Sequence, residues 1–171
     1  MQEEPAELTR LPVTLCTAQA WIRGVVHLGR LRRLSEVLNH PALDYVPVHD
    51  GELMPFGARE WPRPQRTLYV NKADILFAHP TPPSDGPRPP AGLAVQKIPA
   101  PVRLYVGDFQ VQGIVYLADR VPWEQFLTVL RDRFLALTRA TITRAVSGEP
   151  VATVDFVAVN RAHLSVLVPE E

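Results

Sequence analysis

The chain has a single cysteine, Cys16, so an internal disulfide framework and a cysteine-based zinc cluster are both excluded. One thiol also fits a reducing, cytoplasmic setting. There is no excess of charge of either sign: 18 Lys and Arg balance 18 Asp and Glu. A dedicated duplex nucleic-acid binder shows a basic footprint, which this composition lacks. No apolar run approaches the length of a membrane span. The first residues, Met1-Gln2-Glu3-Glu4-Pro5, are acidic and carry no apolar core, unlike a signal peptide. Only nine glycines are present, and none falls in a GxGxxG, P-loop or GxSxG pattern. The five histidines (His27, His40, His49, His79, His163) show no HxH or HExxH spacing. Whether two of them meet in space is not legible from spacing. No catalytic residue, metal ligand or cofactor is therefore assigned.

What the chain does have is an internal echo. Shifted by 101 − 12 = 89 positions, residues 12–80 lie over 101–169 without a gap. Both stretches open Pro-Val-x-Leu (Pro12, Val13, Leu15; Pro101, Val102, Leu104). Both place a glycine inside the second apolar run (Gly24, Gly113), followed by Val26/Val115 and Leu28/Leu117. Both close on Val-Asn-basic-Ala (Val70-Asn71-Lys72-Ala73; Val159-Asn160-Arg161-Ala162) and a final proline. Identities are few, but the fixed register and the shared apolar pattern point to a tandem repeat. Each copy is close to the size at which one core is marginal, so the copies are expected to pack together. The expected organisation is a lead-in (1–11), repeat 1 (12–80), a proline-rich linker (81–100) and repeat 2 (101–169).

Within each copy, Val13 and Leu15, or Val102, Leu104 and Val106, alternate as in a half-buried strand. A second strand follows, with Ala20, Ile22, Gly24, Val26 and Leu28 on one face and Trp21, Arg23, Val25 and His27 on the other. A glycine in mid-strand marks a bend, a bulge or the close approach of another backbone. The period then turns helical at Leu31, Leu34, Val37 and Leu38, and at Trp123, Phe126, Leu127 and Leu130. Tyr45-Val46-Pro47-Val48 and Phe134-Leu135-Ala136-Leu137 each read as a third strand. A variable loop leads to two last strands that meet at Asn71-Lys72 and Asn160-Arg161, read as a tight reversal with asparagine in a left-handed conformation. The fold expected is mainly β: two tandem β-β-α-β-β-β units, each a small, strongly bent sheet or barrel, packed with pseudo-twofold symmetry.

Polar candidates are sparse. Arg23, Arg30, Arg32 and Arg33, with His27, form the densest basic stretch, and repeat 2 does not repeat it. Converging cations would hold phosphate, whereas a solvated helix face needs no ligand. The loop Arg59-Glu60-Trp61-Pro62-Arg63 sets an aromatic among arginines, a combination that stacks on a base, anchors a protein partner or folds back on the domain. Lys72 and Arg161 recur at one position of the two copies, either as a basic rim for an anionic ligand or as exposed charges after a turn.

The strings Gly24-Val25-Val26-His27-Leu28, Arg33-Leu34-Ser35-Glu36-Val37-Leu38-Asn39 and Val70-Asn71-Lys72-Ala73-Asp74-Ile75 resemble an uncharacterised bacterial small-barrel domain family, in two tandem copies. More faintly, the chain resembles Sm-like (Lsm, Hfq-type) barrels, whose last two strands also meet at a short polar turn. The helix departs from that pattern, falling between strands two and three instead of before the first. The Asp-x-x-x-Asn motif and Arg-Gly turn are missing too, so the resemblance implies a barrel and no RNA site. The functional expectation is a non-catalytic protein-binding or scaffold module of the bacterial cytoplasm, with a protein partner or self-association. The alternative is single-stranded RNA binding on the basic surface of repeat 1. A third reading is an enzyme with a site between the repeats.

Overall fold

The computed structural model describes residues 9–81, 97–119 and 121–170. Most of the lead-in (1–8) and most of the linker (82–96) lie outside the described residues. The chain divides into two compact units, Met1–Pro87 and Arg88–Glu171. Both are mainly β and antiparallel.

The first unit contains β1 (Arg10–Thr17), β2 (Ala20–His27), α1 (Leu34–Asn39), β3 (Tyr45–Pro55), β4 (Thr67–Asn71) and β5 (Ile75–Pro80). Its strand order is β5-β1-β2-β3-β4. Strand alternation supplies the core: Val13, Leu15, Ile22, Val26, Val46, Val48, Ile75 and Phe77 are buried. The face expected to be mixed, Trp21, Arg23, Val25 and His27, is the half-exposed one. Helix α1 buries Leu34, Val37 and Leu38, one apolar stripe at helical spacing.

The second unit runs through the same order: β6 (Lys97–Val106), β7 (Phe109–Ala118), α2 (Trp123–Val129), β8 (Phe134–Arg144), β9 (Pro150–Asn160) and β10 (Leu164–Pro169), arranged β10-β6-β7-β8-β9. Val102, Leu104, Val111, Val115, Phe134, Leu137, Ile142 and Val157 form its core. Helix α2 contributes no buried side chain.

The mid-strand glycines have a definite cause. Between Arg23 and Val25 the β2–β3 register shifts, so that Asp50 and Gly51 bulge opposite Gly24. A Cβ on Gly24 would lie 2.5 Å from Val48 Cγ1 and 2.7 Å from the His49 carbonyl oxygen. The β7–β8 register shifts between Gln112 and Ile114, opposite Gly113, where a Cβ would lie 3.0 Å from the Thr138 carbonyl oxygen. Each bulge carries a non-glycine residue at positive φ, Asp50 (50°) or Arg139 (51°). Bulges of this kind bend a strand and deepen its twist.

Three expectations need correction. The third strands are 11 residues long, not four, because β3 and β8 continue past the bulge. The variable loop expected before Val154 is largely strand in the second unit, where β8 runs to Arg144 and β9 begins at Pro150. The asparagine reversal is not left-handed: Asn71 (φ −66°) and Asn160 (φ −69°) are extended. Each caps one turn of 3₁₀ helix, its Oδ1 accepting from the N–H of Ala73 or Ala162 at 3.0 Å. An asparagine side chain serves a helix N-terminus from an extended backbone, so left-handed geometry is not needed.

Candidate functional site

The outward face of the first unit gathers most of its polar side chains. Arg23 on β2 stands opposite Glu52 on β3, and its Nε donates to Glu52 Oε2 at 2.5 Å. The guanidinium lies over the Trp61 indole, 4.1 Å from the ring centroid. Local sequence explains the tryptophan's place. Pro62 and Pro64 have no N–H to donate, so the ladder cannot continue through them and β4 begins only at Thr67. The freed segment returns beside the bulge, where Gln65 N–H donates to the Gly51 carbonyl at 2.7 Å and Asp50 N–H to the Arg66 carbonyl at 2.9 Å. Next to the Arg23–Glu52 pair is an open cleft of about 230 Å³ lined by Pro12, Gly24, Val25, Asp50 and Glu52 among others.

Toward the other end of β2, His27 and His49 stack, with ring centroids 3.9 Å apart and planes 17° apart. His49 Nδ1 meets Thr67 Oγ1 at 3.3 Å. The His27 pKa is held below the usual histidine value, first by desolvation and then by the charges of His49 and Arg10, with Asp50 opposing. His79 on β5 is buried, and desolvation lowers its pKa too, partly offset by its 2.8 Å hydrogen bond with the Pro80 carbonyl.

The predicted basic stretch does not converge. Arg23 and His27 are four residues apart on an extended strand, about 13 Å. Arg30 and Arg32 follow that far end and are exposed, away from Trp61 and the exposed Arg63. Arg33 occupies the N-cap of α1 with no side-chain capping bond, and the Arg32 N–H donates to Glu36 Oε2 at 3.1 Å.

Lys72 corrects the expectation of an exposed charge. Its side chain is fully buried, and Nζ donates to the carbonyls of Val37 at 2.6 Å and His40 at 3.1 Å. Those oxygens belong to the end of α1, where backbone acceptors lack helical partners and a cation complements the dipole. Arg161 does the same in the second unit, its Nη1 donating to the carbonyl of Leu130, the C-cap of α2. In both units the recurring basic residue clamps the end of the helix, and Lys72, fully buried, does not face a ligand.

Sequence reasoning missed Glu52 and the histidine pair. Three residues apart on β3, His49 and Glu52 would alternate to opposite faces; the bulge at Asp50 and Gly51 turns both outward, Glu52 opposite Arg23 and His49 against His27. Also missed were Tyr45, 53% exposed, and Tyr69, 71% exposed, on adjacent strands β3 and β4.

Comparison with protein-family models, curated proteins and solved structures finds no match to this chain. No helix among the described residues is long and apolar enough to cross a membrane.

Proposed function

We propose that this chain is a non-catalytic protein-binding or assembly module of the bacterial cytoplasm, made of two diverged copies of a small, strongly bent, Sm-like sheet. The shared element order, matched bulges and matched helix clamps support the duplication. In this reading the first unit supplies the contact surface.

One observation carries the binding role. Among the described residues, strand β4 pairs on one side only and reads Thr-Leu-Tyr-Val-Asn, with no charge and no proline. Soluble proteins usually blunt such an edge with lysine, proline or a bulge. An unblunted edge beside the exposed Tyr69 and Tyr45 suits a partner strand, which gains backbone hydrogen bonds and aromatic contact together. Strand β10 is a second one-sided, uncharged edge, with Val166 49% exposed.

The test is light scattering on a sizing column of protein purified from its own host, with absorbance at 260 and 280 nm. The expected result is a species heavier than one chain with protein-like absorbance, reduced in Tyr69→Lys. A single chain with no co-purifying protein, unchanged in Tyr69→Lys, would sink the reading. Excess 260 nm absorbance that salt removes would put single-stranded RNA on Arg30, Arg32 and Arg33 in its place.

A further inference from the structure

We infer that His27 and His49 form a two-histidine site for a transition-metal ion such as Cu(II), Ni(II) or Zn(II) on the outward face of the first unit. The inference is independent of the binding role above. Imidazole nitrogen suits these ions, with bonds of about 2.1 Å. Two such bonds at a tetrahedral angle place the nitrogens about 3.4 Å apart. The ring centroids stand 3.9 Å apart with planes 17° from parallel, so the in-plane lone pairs do not converge as the rings lie; rotation of both half-exposed rings about their side-chain bonds turns one nitrogen from each toward a shared ion.

Three further features fit. The sheet fixes both backbones, because β2 and β3 pair on either side of the bulge. Thr67 Oγ1 meets His49 Nδ1 at 3.3 Å, which accommodates the Nδ1–H tautomer and leaves Nε2 as the donor. Metal-binding histidines are commonly oriented by such a partner on the other ring nitrogen. The equivalent positions of the second unit are Tyr116 and Thr138, a pair with no imidazole. Among the described residues no third His, Cys, Asp or Glu completes a group of three. Water or a donor from a partner must therefore fill the remaining coordination positions. Arg10 stands opposite His27 on β1, and its charge works against a bound cation.

The experiment is a calorimetric titration of the full chain with Ni(II), repeated with Zn(II). The expected result is saturable one-to-one binding that His49→Ala abolishes. His27→Phe keeps a stacking ring and removes the donor nitrogens, so it separates ligand loss from fold loss; binding is expected to vanish with the circular dichroism spectrum unchanged. Thr67→Val should weaken binding about tenfold. Arg10→Gln should tighten it. Binding that survives both histidine substitutions, or wild-type protein that binds no more tightly than His27→Phe, overturns the assignment.

Discussion

The two units share a strand order and differ in what they hold against it. In the first, the residue at the helix clamp is a buried lysine with two carbonyl acceptors, and α1 buries three apolar side chains. In the second, the clamp is an exposed arginine and α2 buries none, leaving Leu127 41% and Val129 57% exposed. At the β3–β4 connection, two prolines stop the ladder and lay Trp61 against Arg23. At the β8–β9 connection, Val151 and Thr153 replace those prolines, and the strand runs the full 11 residues. The bulge is common to both units; the chemistry around it is not. Backbone geometry sets the frame, and side chains at fixed positions of that frame decide whether a surface is polar, aromatic or inert.

The largest expected difference lies at the bulge. Gly24→Ala forces a methyl group against a carbonyl and a core valine, and should cost about 3 kcal/mol in urea denaturation. Gly113→Ala has more room and should cost about 1 kcal/mol. Equal losses would mean that the two bulges are equally crowded and that the difference in room does not decide the cost.

The clamps come next. Lys72→Met leaves buried carbonyls without their donor and should lose about 2 kcal/mol of stability. Arg161→Met removes a solvent-exposed contact and should lose about 0.5 kcal/mol by the same assay.

A smaller, pH-dependent difference comes from His79, whose counterpart is Val168. Its folded pKa is depressed, so the unfolded chain takes up the proton first. Stability should be full above the ordinary histidine value of about 6.5 and fall as pH drops from there through the folded pKa. Denaturation midpoints between pH 7.5 and 5 check this, and His79→Val should flatten that part of the profile.

The smallest change sharpens the strand comparison. Replacing Pro62 by Val and Pro64 by Thr, as in the second unit, should extend β4 toward its hairpin. Slower amide exchange at Arg63, Gln65 and Arg66 is the readout, and unchanged exchange would show that the prolines are not what ends the strand.

Much of this was legible in the chain itself. Alternating apolar residues determined the strands, and the switch to helical spacing placed the helices, because burial on one face imposes a period of two on a strand whatever lies beyond it. The mid-strand glycines pointed to a bend, a bulge or a close approach without choosing among them, and each stands opposite a bulge on the neighbouring strand. Sequence could not say that Asn71 caps a 3₁₀ turn, that Lys72 points inward, or that His27 meets His49. Those depend on which residues distant in sequence stand opposite one another. A single extra residue in β3 sets that register, and no local pattern records it.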